Sequence, residues 1–288
     1  MKRYIFFCLL TLLLWGSCQE DFVLPEASSA LVVEGWIEQG SFPVVQLTRT
    51  LPVSTKPQDI STLNDYAIKW AKVTVSDGEN QVILIGMHNE EYFPPFIFTT
   101  TDLRGEANKK YTLTVEYQNS IFTAETTIPA VAPDCQYQVV KSPENDTLCQ
   151  IKALLSVDCM AGGYCQFFTK TDATTRQFQP CLGGSLSPEM DQTQREVMVH
   201  RGQRWDEYPY SPYYTQSDVV TVKFARLDEV SYRIWESYTR NLSLSRLMFL
   251  SPSSDIETNI HGGYGYWCGL NSIKTQISIG DSIVSNGK

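Results

Sequence analysis

The chain has 288 residues and a formal charge of −9, and loss of Lys2 and Arg3 with a cleaved leader would bring this to −11. Such an acidic protein is a poor general partner for nucleic acid or anionic lipid. The length beyond the leader exceeds that of one typical domain. An aromatic content of 12%, with abundant Val, Thr and Tyr, favours strands over helices.

The N-terminus has the pattern of a cleaved and lipidated leader. A positive start precedes a largely apolar run at 5–15, and Gly16 and Ser17 lead directly into Cys18. A membrane-spanning helix needs about 20 apolar residues, so this run indicates a secretion signal instead. The small-small-Cys ending resembles the bacterial lipobox and predicts a signal peptide at 1–17 with acylation of Cys18. The alternative is an ordinary signal peptide cut near Ser17.

A short polar tether is expected at 18–29. Gln19, Glu20 and Asp21 follow the predicted acylated cysteine. Acidic residues at this place resemble the surface-export signal of Bacteroidota lipoproteins, although they are also typical of a solvated spacer. The segment predicts a protein held at the outer membrane by its lipid and displayed on the cell surface.

The region 30–130 has the pattern of an antiparallel β-sandwich. Apolar and polar residues alternate within short runs, which are separated by turn residues such as Asp77-Gly78 and Gln118-Asn119. The predicted strands are 31–37, 44–48, 71–75, 82–85, 111–117 and 121–124. Strands at this spacing favour an Ig-like or prealbumin-like sandwich, and Pro129 and Pro133 end the unit.

The region 131–288 is expected to form a second β-rich domain with one amphipathic helix. The runs 148–157 and 164–171 predict a β-hairpin, and 219–224 predicts a further strand. Apolar residues recur at helical spacing over 228–240, with acidic residues in the first turn, where they complement the helix dipole. The alternating run 273–279 predicts a closing strand.

Six cysteines lie beyond the first sandwich, and an even number in an exported protein predicts three disulfides with open pairing. They are Cys135, Cys149, Cys159, Cys165, Cys181 and Cys268. Cys159 and Cys165 flank a turn and are the best local pair. Zinc is the competing interpretation, but the sequence has no C-x-x-C and no nearby pair of histidines.

The sequence gives little sign of catalysis. The sequence has no G-x-S-x-G motif that would supply a nucleophile for His200 to activate as a base. The glycines after Cys181 lack the lysine of a phosphate loop. His261 precedes a run of glycines and aromatic residues that suits tight strand packing, with Cys268 held by a disulfide, better than a ligand loop. We therefore expect a non-enzymatic protein without a metal or other cofactor.

The best binding candidates lie in an aromatic segment with two prolines at 205–214. Its candidate residues are Trp205, Tyr208, Tyr210, Tyr213 and Tyr214. Aromatic rings on a stiffened loop offer a large contact area at little entropy cost. The alternative is a loop that covers the core. The segment 93–96, Phe-Pro-Pro-Phe, is a weaker candidate of the same kind.

Several short motifs together resemble the DUF4249 lipoproteins of Bacteroidota. They are Leu31-Val32-Val33-Glu34-Gly35, Ala71-x-Val73-x-Val75-x-Asp77, Tyr92, Gly105 with Tyr111-x-Leu113-x-Val115, Phe122-x-Ala124 with Ile128-Pro129, Asp158 with Gly163-Tyr164, and Ile260-x-Gly262-Gly263-x-Gly265-Tyr266. The resemblance covers nearly the whole mature chain, although the extra cysteines depart from it. The resemblance implies that the gene for this chain lies beside genes for TonB-dependent outer-membrane transporters.

Two functions from different classes follow. The favoured one is an accessory or ligand-capture partner of a TonB-dependent transporter. The other is an adhesin or envelope-structural module without a transport role.

Overall fold

The computed structural model describes residues 30–50, 64–156, 163–172, 176–189, 196–203, 209–244 and 256–282. The protein is mainly β, with 53% strand and 10% helix, which confirms the expected fold class. Within these ranges, no helix is both long enough and apolar enough to cross a membrane.

The described residues of the first half of the chain fold into seven strands that form two packed sheets. They are β1 Leu31–Glu38, β2 Val44–Arg49, β3 Lys72–Ser76, β4 Gln81–His88, β5 Phe96–Thr99, β6 Lys110–Tyr117 and β7 Ser120–Thr127. The order is β1-β2-β5-β4-β3-β6-β7, and every neighbouring pair is antiparallel. Strand β4 belongs to both sheets, because its first half pairs with β3 and its second half with β5.

Alternating side chains from both sheets form the core of this sandwich. Val33, Val73 and Leu113 are buried between the sheets, as their period-two spacing predicts. Trp267 from the last strand of the chain completes this core, and its indole Nε1 donates a hydrogen bond to the carbonyl of Tyr111 at 3.2 Å. The first sandwich therefore needs residues from the C-terminal part of the chain.

The second half is built in three layers. Its elements are β8 Cys135–Lys141, β9 Leu148–Leu155, β10 Cys165–Thr171, β11 Gln179–Leu186, β12 Glu196–Val199, β13 Tyr214–Thr215, β14 Val219–Leu227, helix α1 Glu229–Leu244 and β15 Tyr264–Ser278. Strands β11-β10-β14-β15 form the middle layer. Helix α1 packs on one face, and a sheet of β8, β9, β12 and β13 packs on the other.

Strand β15 is shared by the two halves. Its first part pairs in parallel with β1, and its second part pairs antiparallel with β14. The close approach to β1 requires glycine at 265, because a Cβ there would overlap the carbonyl oxygen of Val33. The strand predicted from the alternation at 273–279 thus begins nine residues earlier, within the glycine-rich run. The predicted boundary near residue 130 falls between β7 and β8, but β15 crosses between the halves.

Helix α1 confirms the predicted helix and begins with a cap. Asp228 accepts a hydrogen bond from the backbone N–H of Ser231 at 2.8 Å, as an N-cap residue does. Its other carboxylate oxygen accepts hydrogen bonds from the hydroxyl of Thr126 and the N–H of Thr127, each at 2.9 Å. The cap therefore also ties the helix to β7 of the first sandwich.

The predicted hairpin at 148–171 is wrong, although both of its strands exist. Strand β9 pairs with β8, β12 and β13, whereas β10 pairs with β11 and β14. The two strands face each other across the core of the second half, where Ile151 and Phe167 are fully buried. Their apolar faces meet by packing between sheets and not by backbone pairing.

The end of the first sandwich remote from the second half is named the distal end. Strands β1 and β7 end beside the second half, because Glu38 lies 4.0 Å from Lys223 and the N–H of Thr127 donates to Asp228. Both strands therefore begin at the distal end, as do β3 and the parallel pairing of β15 with β1. A bridge between Thr123 and His261 closes the gap between β7 and the chain entering β15. The segment that connects the predicted lipidation site to Ala30 therefore joins the sandwich at its distal end.

Candidate functional site

The structure describes three of the five aromatic residues predicted to form a binding platform. Trp205 and Tyr208 lie outside the described residues, and Tyr210 and Tyr213 are half-buried. The hydroxyl of Tyr210 donates to the carbonyl of Arg201, whose guanidinium lies 5.9 Å from the tyrosine ring. A hydrogen bond with Glu144 raises the pKa of Tyr213. These contacts hold the segment to the second half.

Tyr214 is not a surface binding residue. It is fully buried in the core between the two sheets of the second half, and its hydroxyl donates to the carbonyl of Val199 at 3.1 Å. Burial raises its pKa well above the usual tyrosine value. The prediction for this residue is corrected, because two consecutive tyrosines at 213–214 point to opposite sides and only one can face solvent.

The prediction of three disulfides is wrong in this structure, since it requires all six cysteines to be paired. Cys159, and with it the predicted pair with Cys165, lies outside the described residues. No disulfide joins the other five, Cys135, Cys149, Cys165, Cys181 and Cys268. The first four pack between the sheets of the second half, whereas Cys268 packs under helix α1 on the other side of the middle sheet. Burial raises the pKa of both Cys181 and Cys268 to about 12, so these thiols stay protonated at neutral pH.

The three histidines lie on different elements. His88 ends β4, and its Nε2 is 3.9 Å from a carboxylate oxygen of Glu90. His200 follows β12, and His261 bridges to β7 through its backbone. In the part of the chain that the structure describes, no three His, Cys, Asp or Glu side chains are grouped as metal ligands would be.

A buried charged cluster joins β1 to β14 and β15. Glu38 accepts hydrogen bonds from the hydroxyl of Ser272 and, at 3.2 Å, from Lys274. Lys223 lies 4.0 Å from the same carboxylate, with its ammonium 4.9 Å from the ring of Phe168. Burial opposes the charge of Glu38, but the two lysines hold its pKa below the usual value. Burial lowers the pKa of Lys223. Lys223 and Glu38 are only 6% and 7% exposed. The cluster is therefore a buried structural junction between β1 and the strands β14 and β15.

An exposed apolar stripe runs along β4. Ile83, Ile85 and Met87 occupy alternate positions and are 59%, 70% and 47% exposed. Leu84, between the first two, faces the core and is buried. Alternation places the three exposed side chains on the outer face of the strand, while β3 pairs with the first half of β4 and β5 with its second half. The stripe therefore offers its apolar side chains to a partner.

A cleft of about 750 Å³ lies between β4 and Trp70, with both apolar and charged side chains in its lining. Phe96 and Phe98 line it below Gly86, where a Cβ would lie 2.9 Å from the Phe96 ring. Trp70 is 89% exposed, the most open large apolar side chain among the described residues. The weaker sequence candidate, 93–96, thus contributes Phe96 to the cleft, while Phe93 is partly exposed nearby.

The exposed stripe was not expected from the sequence, although a signal was present. The run Val82-Ile83-Leu84-Ile85 has apolar residues on both faces of the strand. In an antiparallel sandwich one face of a strand is ordinarily polar, so this break in alternation indicates an outer face that contacts something else. Trp70 precedes β3 and belongs to no periodic run, so periodicity could not identify it.

A scan against protein-family models finds no match to the chain, and a search of curated proteins finds no similar one.

Proposed function

We propose that the protein is a surface-exposed outer-membrane lipoprotein that works by contact, as an accessory or ligand-capture partner of a TonB-dependent transporter. Acylation at Cys18 anchors it after cleavage of residues 1–17. The leader pattern supports the anchor, and the resemblance of the motifs to DUF4249 lipoproteins supports the transporter as partner.

The apolar stripe on β4 is the observation that carries this proposal. Three large apolar side chains on one outer face are unusual for a solvated antiparallel sheet. Full burial of one such side chain contributes roughly 1.5–3 kcal/mol, so covering Ile83, Ile85 and Met87 supplies a useful share of a binding free energy. A protein partner with a complementary apolar surface fits the stripe better than a small polar ligand does.

The test is purification of the native lipoprotein from detergent-solubilised outer membrane, comparing the wild-type protein with Ile85→Glu. Mass spectrometry first establishes that Cys18 is acylated. We then expect a β-barrel transporter to co-purify with the wild type, and its yield to fall at least about tenfold with Ile85→Glu, which needs a loss of only about 1.4 kcal/mol.

Val131→Glu is the matched control, because Val131 is also an exposed apolar residue but lies between β7 and β8. It should leave the yield of the partner unchanged. Equal recovery of the transporter with both variants would remove the stripe from the binding surface. Recovery of the wild-type protein alone or with matrix components would favour the adhesin function.

A further inference from the structure

We infer that the distal end of the first sandwich rests on the lipid bilayer, with Trp70 inserted among the headgroups. This inference deepens the proposed function and rests on its lipid anchor at Cys18. The lipid thus has a second contact with the protein, which sets the orientation of the folded part on the membrane. The apolar stripe of β4 then faces sideways, toward a neighbour in the same membrane.

The first argument is the reach of the chain from the anchor. Eleven residues separate Cys18 from Ala30, and even a fully extended chain spans at most about 43 Å between these two positions. The backbone of Ala30 is fixed at the distal end, where its N–H donates to the hydroxyl of Thr50 at 3.0 Å. An acylated Cys18 therefore limits the distance of this end of the molecule from the bilayer to about 43 Å.

The second argument is the composition of the distal end. Trp70 precedes β3, Ile121 is the second residue of β7, and Tyr264 is the first residue of β15. All three are more than half exposed, although they come from separate parts of the chain. Trp and Tyr are the residues enriched where proteins meet the membrane interface, because each combines an apolar ring with a polar group.

The charges at this end also suit the headgroup region. Lys69 is exposed beside Trp70, and Lys72 pairs with Glu116 at 2.7 Å on the surface. The guanidinium of Arg49 donates to the carbonyl of Asp65 at 3.1 Å. These basic groups can approach lipid phosphates, whereas the acidic molecule as a whole is repelled by strongly anionic membranes. Zwitterionic lipid is therefore the expected surface.

The contact predicts a measurable position for one indole ring. The acylated protein would be reconstituted in vesicles of phosphatidylethanolamine and phosphatidylcholine that carry bromine atoms near the top of the acyl chains. Bromine quenches tryptophan fluorescence only at short range. We expect quenching in the wild-type protein and loss of most of that quenching in Trp70→Phe, with the fold unchanged because Trp70 is exposed.

Trp36→Phe is the matched control, because Trp36 is half-buried and stacks on Tyr92 with ring centroids 6.1 Å apart. Trp36→Phe should leave the quenching of tryptophan fluorescence by bromine as strong as in the wild-type protein. Equal quenching in the wild type and Trp70→Phe, with acylated Cys18, would overturn this inference and leave the proposed function standing. So would a concentration-dependent dimer that covers Trp70. Absence of an acyl group from Cys18 would overturn both.

Discussion

Gly40 and Gly265 both have positive φ angles, of 74° and 99°, but their surroundings differ. A Cβ at 40 would meet no atom within 4 Å, while a Cβ at 265 would overlap the carbonyl oxygen of Val33. We expect Gly40→Ala to lower the free energy of unfolding by about 1 kcal/mol and Gly265→Ala by about 3 kcal/mol or more. Denaturant titration measures both values. Equal losses would contradict a steric requirement for glycine at the contact of β15 with β1.

Asp77 predicts a pH-dependent contribution to stability. Its carboxylate accepts hydrogen bonds from the N–H groups of Asn80 and Glu79 and lies 3.2 Å from Lys109. The bond from Asn80, aided by the other two groups, lowers the pKa of Asp77 to about 2. Because the pKa in the folded state is lower than in the unfolded state, the contribution is present above about pH 4 and is lost as the pH falls toward 2.

The variant Asp77→Asn isolates this contribution. Between pH 4 and pH 2 the wild type should lose about 1 kcal/mol more than the variant. This is less than the free energy that the full pKa shift corresponds to, because the Lys109 side chain is 32% exposed and solvent screens the pair. Thermal unfolding across this range provides the measurement, and Glu79→Gln serves as the control in the same turn. Parallel pH profiles for wild type and Asp77→Asn would show that the charge of Asp77 does not stabilise the fold.

The cysteines and Tyr214 show why residue roles were harder to predict than strands. An even cysteine count in an exported chain predicts disulfides, but cysteine is also a small apolar residue that packs well in cores. Cys149, Cys181 and Cys268 are fully buried and pack in the core as small apolar residues. Whether a cysteine forms a disulfide or packs in the core depends on which face of a sheet it occupies. The number of cysteines does not contain this information.

Among the elements, the buried pair of Glu38 on β1 and Lys223 on β14 makes the sharpest stability prediction. Removing one partner leaves a buried charge without full compensation, which costs about 3–5 kcal/mol. We expect this loss for Glu38→Gln. The double variant Glu38→Leu with Lys223→Met should recover most of the lost stability, because neither buried charge then remains and the third charge, on Lys274, is 44% exposed to solvent. Denaturant unfolding distinguishes the two variants, and a cost below about 1 kcal/mol for Glu38→Gln would contradict the importance of the junction.

The elements themselves were largely predictable, but their partners were not. The alternating runs at 111–117 and 121–124 correspond to β6 and β7, and the helical pattern at 228–240 to α1. Local spacing sets these elements. The pairing of β10 with β14, and of β15 with β1, joins residues far apart in the chain. Turn signals could not indicate these pairs, and the turn-forming residues in the sequence at 160–163 wrongly suggested a hairpin.

For the molecule as a whole, the sequence indicated the β-rich fold better than the contact surface. A sandwich pattern can be identified from the order of residues alone, whereas the predicted leader stays a prediction. Exposure depends on what covers a face, so the stripe on β4 and the open position of Trp70 became visible only in the assembled sheets. The predicted aromatic platform stays a prediction for Trp205 and Tyr208, whereas Tyr214 lies in the core.

Site-specific photocrosslinking in the intact cell envelope would show whether the stripe on β4 contacts a membrane protein. A photoreactive amino acid would replace Ile85 on the stripe, with the same replacement at Val131 as the control. Because Ile85 is 70% exposed, the replacement should not disturb the fold. We predict a crosslink from position 85 to an integral outer-membrane protein and none from position 131. An acylated, folded protein that gives no crosslink at 85, or the same crosslinks at both positions, would contradict a contact function through β4.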